Sequence, residues 1–100
     1  MKIDVTVPMR NLDGEPVPDS SLRLIITESL LGVLRGDEGL DGPRKADLYA
    51  LAFRIHHDDK PDLKAEEISL IKERIGRAYA PLIVGMSYKL LDPPADDEKK

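Results

Sequence analysis

The chain is predicted to adopt an α+β fold, an N-terminal two-stranded β-hairpin packed on a small bundle of three helices plus a short fourth helix. Residues 2–7 alternate polar and apolar side chains, which is the period of a half-buried strand. From residue 21 to residue 91, apolar residues recur at spacings of three and four, as in amphipathic helices. The 100 residues suffice for one compact core, so we expect a single domain over 1–91.

The predicted hairpin covers residues 2–18. The apolar side of its first strand consists of Ile3, Val5 and Val7. Asp13-Gly14 supplies the positive φ angles of a tight turn, and a short return strand follows. Pro16 and Pro18 lack backbone donors, so this return strand should lie at an edge. Because an isolated hairpin is marginal in water, it must rest on the helices or pair with another chain.

Helix one is predicted over about residues 21–35, with Ser20 or Ser21 as its N-cap. Its apolar stripe consists of Leu22, Ile25, Ile26, Leu30 and Val33. A second apolar face consists of Leu24, Leu31 and Leu34. Because two faces are apolar, we expect this helix to be largely covered.

Helix two is predicted over residues 43–57, with Pro43 at its start. One apolar stripe consists of Leu48, Leu51, Ala52 and Ile55, and the adjoining one of Ala46, Tyr49 and Phe53. A helix that is apolar over two thirds of its circumference belongs in the middle of a domain. We therefore expect helix two to contact helix one on one side and the segment 65–91 on the other.

Helices three and four are predicted over residues 65–79 and 81–91, separated by a break at Pro81. The core stripe of helix three consists of Ile68, Ile71, Ile75, Ala78 and Tyr79. Its charged residues fall opposite and are expected to be solvated, namely Glu66, Glu73, Arg74 and Arg77. Pro93 and Pro94 prevent helix four from continuing. The segment 92–100 lacks large apolar residues and is expected to be a disordered tail.

Composition limits the class of function. The net charge is −4 and the Lys and Arg residues are dispersed, which argues against a nucleic-acid partner. No apolar run reaches the ~20 residues of a membrane span, so we expect no membrane partner. The chain has no Cys, which is compatible with a reducing compartment, and we expect a cytoplasmic protein, in the host cytoplasm if it is encoded by a phage.

No motif indicates catalysis, and we expect no enzyme activity, no cofactor and no metal. The loop 37–42 has acids at two positions of a calcium loop, but its twelfth position is Leu48 where a glutamate is needed. The cluster His56-His57-Asp58-Asp59 has ligand chemistry, yet adjacent helical residues point about 100° apart. We therefore interpret the histidines as capping carbonyls at a helix C-terminus.

Helix four carries apolar residues on two sides. One side consists of Leu82, Ile83, Met86 and Leu90, and the other of Val84, Tyr88 and Leu91. A small domain has little left to cover the second side, and exposed apolar patches often bind another chain. Val84, Tyr88 and Leu91 are therefore predicted to bind a protein partner or a second copy of the chain. The alternative is that the hairpin folds over them.

Three stretches together resemble small proteins encoded by tailed phages and prophages: KIDVTVPMRNLDGEP, LRLIITESLL and AEEISLIKERIGRAYAPLIVGMSYKLL. The resemblance spans Lys2 to Leu91. Lys64 stands where that group is expected to have Ser or Thr, which moves the predicted cap of helix three to Asp62. The resemblance implies a role in particle assembly or in phage biology without chemistry.

We therefore expect a non-enzymatic protein-protein interaction module, a phage assembly or morphogenesis factor if the resemblance holds. The rival function is an acidic regulator that occupies the nucleic-acid site of a basic partner protein. Charge placement separates the two functions. The rival requires that most of one set of acids share a face, namely Asp37, Glu38, Asp41, Asp58, Asp59 and Asp62.

Overall fold

The computed structural model describes residues 1–91, and the predicted tail 92–100 lies outside them. The elements in chain order are β1 (Pro8–Arg10), β2 (Pro16–Ser21), α1 (Leu22–Leu31), a 3-10 turn (Asp37–Gly39), α2 (Gly42–His57), α3 (Ala65–Ala78) and α4 (Pro81–Leu91). β1 and β2 form an antiparallel two-stranded sheet that packs against the helices. The α+β fold class predicted from the sequence is confirmed.

The hairpin uses other residues than those predicted. Its turn is where the sequence placed it, because Gly14 adopts φ 85° and the Asn11 side chain accepts hydrogen bonds from the Asp13 and Glu15 amides. The strands, however, are residues 8–10 and 16–21 rather than the N-terminal segment. A bulge between the Pro8–Ser21 and Arg10–Pro16 pairs accommodates the unequal strand lengths.

Residues 2–7 bury alternate side chains as predicted but pair with a different segment. The amides of Ile3 and Val5 donate to the carbonyls of Pro61 and Asp59 at 3.1 and 3.0 Å. The Leu63 amide donates back to Met1 at 2.8 Å. The N-terminal segment is thus held against the connection between α2 and α3, a partner that no local pattern identifies.

The free backbone amides in the first turn of α1 find hydrogen-bond acceptors from two sources, the Ser21 side chain and the N-terminal segment. The Ser21 side chain accepts from the Leu24 amide at 3.2 Å, which confirms the predicted N-cap. The amides of Leu22 and Arg23 donate to the carbonyls of Val7 and Val5 at 2.9 and 2.8 Å. These bonds pair first-turn amides that have no partner within a helix.

Helix α1, not α2, is the central helix. It contacts α2, α3, α4 and β2, whereas the main neighbour of α2 is α1. The predicted central position of helix two is therefore wrong. The buried core joins residues from the N-terminal segment, the four helices and the connection at Leu63.

The end of α1 is set by a buried arginine on α3. Arg74 is 1% exposed and donates to the carbonyls of Ser29 and Gly32 at 2.7 and 2.9 Å. Gly32 is extended there, so the helix ends at Leu31 and not near residue 35, and Val33 is 96% exposed. The predictions that Arg74 is solvated and Val33 is in the core are therefore wrong.

Candidate interaction surface

The predicted partner-binding side of α4 faces the rest of the protein. Leu91 is 0% exposed, and Val84 and Tyr88 pack against the core. The Tyr88 hydroxyl donates to the Lys72 carbonyl on α3 at 2.7 Å. A Cβ on Gly76 would lie 2.8 Å from the Tyr88 hydroxyl oxygen, so only glycine allows this close approach.

The prediction that this side of α4 remains exposed is therefore wrong, since α3 contributes directly to covering it. The hairpin contacts α4 at another position, where the Arg10 amide donates to the Met86 sulfur at 2.9 Å. Leu91 is thus buried, and Val84 and Tyr88 are half-buried in this fold. Their assignment as partner contacts stays a prediction, which this packing does not favour.

The acidic residues fall into two groups, one at each end of α2. Asp37 and Asp41 precede α2, whereas Asp58 and Asp59 follow it, and a 16-residue helix separates its two ends by about 24 Å. The Asp59 carboxylate pairs with Arg23. Asp41 caps α2 by accepting from an amide at 3.0 Å. Two of these carboxylates are thus already engaged within the chain, which weakens the acidic-regulator hypothesis.

Asp37 is the most strongly paired of these acids. It accepts from Arg74 at 3.0 Å, from the Leu34 amide at 3.0 Å and from Arg77 at 3.1 Å. The Arg74 hydrogen bond, followed by the Leu34 amide, lowers the pKa of Asp37 to about 2 against an opposing effect of burial. Asp37 therefore acts as an internal counter-ion for Arg74.

The predicted cap of α3 and the metal-ligand residue types involve some of the same carboxylates. Asp62 does not cap α3, because its carboxylate accepts from the Met1 amino group at 2.7 Å. The start of α3 instead has the Glu67 carboxylate accepting from the Lys64 amide at 2.9 Å. Within residues 1–91, no group of three or more His, Asp or Glu side chains is arranged to hold a metal ion.

The outward side of α2 consists of seven exposed residues that we call the aromatic face. They lie within about 60° of Phe53 on a helical wheel, opposite the stripe that packs inward. The aromatic face consists of Gly42, Ala46, Tyr49, Ala50, Phe53, His56 and His57. About two of seven surface positions would ordinarily be charged, and here none is an Asp, Glu, Lys or Arg.

Rings form a continuous ladder along this face. Tyr49 is 60% exposed and Phe53 is 52% exposed, with their ring centroids 6.1 Å apart. The Phe53 and His57 centroids are 4.4 Å apart, and the His56 ring meets His57 edge-on at 4.9 Å. His57 therefore packs on the ladder, where the sequence had suggested carbonyl capping.

The other two tyrosines, Tyr79 and Tyr88, differ from Tyr49 because their hydroxyls bond to other elements of the fold. The Tyr79 hydroxyl donates to Glu28 at 2.9 Å, and burial raises the pKa of Tyr79 to about 12. Tyr88 is bonded to α3, with the Lys72 ammonium 5.1 Å from its ring centroid. Tyr49 and Phe53 contact only rings on their own helix among these aromatic interactions.

A neighbouring arginine is held away from the aromatic face. Arg54 donates to the Glu67 carboxylate on α3 at 2.7 Å and to the Asp62 carbonyl in the α2–α3 connection at 2.9 Å. Its guanidinium is thereby fixed beside α3. The aromatic face remains uncharged although a cation follows Phe53 directly in the sequence.

A second exposed apolar surface lies between the hairpin turn and α4. Leu12 is 91% exposed and Leu82 is 43% exposed, and both line a shallow groove with Met86. Lys89 also lines this groove. No aromatic side chain among the described residues lines this groove, so it is a suitable control surface for the aromatic face of α2.

The sequence contained the signal for the aromatic face, because Ala46, Tyr49 and Phe53 were identified as a stripe. The expectation that this apolar stripe is covered is wrong, because Tyr49 and Phe53 are exposed. Comparison of the chain with protein-family models, curated proteins and solved structures finds no match. None of the helices within residues 1–91 has the length and apolar character needed to span a membrane.

Proposed function

We propose that the protein is a non-enzymatic protein-protein interaction module that binds its partner through the aromatic face of α2. The supporting observation is a four-turn helix face that exposes Tyr49 and Phe53 and carries no formal charge. Assembly of a phage particle is the process that the resemblance to phage-encoded proteins suggests.

Energetics favour burial of this face on another protein. Removing a large apolar side chain from water contributes roughly 1.5–3 kcal/mol when its burial is complete. Both Tyr49 and Phe53 have about half of their surface still to bury. Aromatic residues are also the types most enriched at the centres of protein interfaces, whereas charged residues are depleted there.

The acidic-regulator function receives less support. Its acids lie at opposite ends of α2, and Asp37 and Asp59 already have cationic partners within the chain. A basic protein would have to displace those partners to use the two carboxylates. The aromatic face requires no such exchange.

Site-specific photo-crosslinking tests the proposed function. Phe53→p-benzoylphenylalanine places a photoreactive group at the centre of the aromatic face, and Leu12→p-benzoylphenylalanine places it at the control surface. In irradiated cells that express each variant, we expect a discrete protein adduct from position 53 and a weaker one from position 12. Equal labelling from both positions, or no adduct at position 53, would contradict the proposal.

A further inference from the structure

We infer that the acidic segment, residues 92–98, docks along α3 in a groove that carries two cations. We call it the α3–α4 groove, because it lies between the N-terminal half of α3 and the end of α4, and its volume is about 490 Å³. The acidic segment lies outside the described residues, and its composition alone predicts a free tail. None of the described residues that line the groove belongs to the aromatic face of α2, so this inference does not depend on the proposed function.

The first observation is the direction in which the chain leaves α4. Two residues join α3 to α4, and the Tyr88 hydroxyl donates to the Lys72 carbonyl at 2.7 Å, so α4 runs back along α3. Leu91 ends α4 and lines the groove together with Ile68 of α3. The acidic segment therefore starts at the groove and, if it continues in the direction of α4, follows α3 toward its N-terminal end.

The second observation is the charge of the α3–α4 groove. The described residues that line it include Lys64 and Lys72 but no Asp or Glu, although the chain as a whole has a net charge of −4. The groove between α2 and α3, by contrast, has three acids beside its three arginines. An acidic occupant is therefore the one that complements the α3–α4 groove. The acidic segment contains four acids and no base, namely Asp92, Asp96, Asp97 and Glu98.

The third observation is that the charges match in spacing. Lys64 and Lys72 are eight residues apart, which corresponds to about 12 Å along the axis of α3. Asp92 and Asp96 are four residues apart, and a polyproline-like segment of that length also spans about 12 Å. Since the segment follows α3 backwards, Asp92 lies beside Lys72 and Asp96 beside Lys64 in this register.

The apolar residues fit between the charges. Between Lys64 and Lys72 the groove is lined by Ala65 and Ile68, and the acidic segment has Pro93-Pro94-Ala95 between its first two acids. Proline has a fixed φ angle, so ordering this stretch costs less conformational entropy than ordering most other sequences. The order acid, apolar stretch, acid in the segment thus meets the order cation, apolar floor, cation in the groove.

Backbone NMR relaxation of the full chain tests the docking. In wild type at about 0.05 M salt, the amides of residues 95–98 should have higher heteronuclear NOE values than at about 1 M salt, where ion pairs are screened. The triple variant Asp96→Asn, Asp97→Asn, Glu98→Gln should have the lower values at both salt concentrations. The control Lys99→Gln, Lys100→Gln should behave as wild type. Equal values in wild type and the triple variant at low salt would overturn the inference.

Cysteine trapping tests the location, because the natural chain has no Cys. Ala95→Cys is combined either with Ala65→Cys in the groove or with Lys89→Cys on the exposed side of α4. In a glutathione redox buffer, a docked segment should form the 65–95 disulfide more readily than the 89–95 disulfide. A free tail should do the reverse, since the 89–95 loop is much shorter. Preference for the 89–95 disulfide would therefore overturn the inference.

A charge exchange tests the register in the 65–95 cysteine pair. Lys64→Glu should lower the equilibrium fraction of disulfide relative to dithiol by roughly threefold to tenfold, and adding Asp96→Lys should restore it. The start of α3 should survive this change, because Glu67 accepts from the backbone amide of residue 64 and an acid suits a helix N-terminus. Lys45→Glu on α2 is the control and should have no effect. Equal disulfide formation with Lys64 and with Lys64→Glu would overturn the inference.

Discussion

Helices α2 and α4 each carry a second apolar side, and the fold treats the two sides in opposite ways. On α4 the side with Tyr88 and Leu91 is packed inward, with Leu91 0% exposed. On α2 the side with Tyr49 and Phe53 is open to solvent. Sequence patterns had suggested the reverse, which shows that an apolar side alone does not indicate whether a helix is covered.

The connections explain the difference. Only Tyr79 and Ala80 separate α3 from α4, so α4 folds back onto the helix that precedes it. The longer connection from α2 to α3 is occupied by the N-terminal segment, which hydrogen-bonds to Asp59, Pro61 and Leu63. Since Arg74 also anchors α3 to the end of α1, no element within residues 1–91 covers the outer side of α2.

Removing Arg74, which anchors α3 to the end of α1, should have the largest effect on stability. Arg74→Ala should lower the free energy of unfolding by about 3–5 kcal/mol, because it leaves Asp37 and two α1 carbonyls without their partner in a buried site. Chemical denaturation measures it, with the more exposed Arg77→Ala as the milder control. Equal losses from the two variants would show that burial of Arg74 is not what matters.

Truncating the covered side of α4 should come next. Leu91→Ala should cost about 2–5 kcal/mol through lost burial and a residual cavity, because Leu91 is completely buried. Leu82→Ala, on the exposed side of the same helix, should cost less than about 1 kcal/mol. If urea denaturation gives Leu91→Ala the smaller cost, α4 is not docked as described.

Acid should weaken the Arg74–Asp37 pair, but by less than Arg74→Ala does, because a protonated Asp37 can still form hydrogen bonds. Its pKa is about 2 in the folded protein against 3.8 for an ordinary aspartate. The stabilisation is therefore complete above about pH 4 and is lost as the pH falls toward 2. Unfolding measured between pH 5 and pH 2 should show a shallower acid dependence for Asp37→Asn than for wild type. Identical slopes would refute this role.

The hydroxyl of Tyr88 should have a smaller effect. Tyr88→Phe removes the 2.7 Å hydrogen bond to the Lys72 carbonyl and keeps the ring, so we expect a loss of about 0.5–1.5 kcal/mol. Thermal or urea denaturation checks it, with Tyr49→Phe as the matched control on α2. A comparable loss from the control would mean that Tyr49 is also bonded within the fold.

The smallest effect should come from the open side of α2. Because Phe53 is 52% exposed, Phe53→Ala should change the free energy of unfolding by less than about 1 kcal/mol, measured by urea denaturation. A loss above 2 kcal/mol would place Phe53 in the core and remove the contrast between the two helices.

Much of the local structure could be predicted from the sequence because its causes are local. Helical periodicity located the four helices, Ser21 was recognised as a cap, and Asp13-Gly14 was recognised as a turn. The alternation in residues 2–7 identified Ile3 and Val5 as buried. Each of these features depends on residues within a few positions of one another, which a pattern can show.

Tertiary structure decided which apolar sides are covered and which strands pair. The N-terminal segment pairs with residues about 60 positions away, and the carbonyls that Arg74 binds lie 42 and 45 positions from it. Periodicity gives the side of a helix on which a residue lies but not the neighbour it meets. For that reason, the sequence alone shows that α2 has an aromatic side, and only the packed fold shows that this side is exposed.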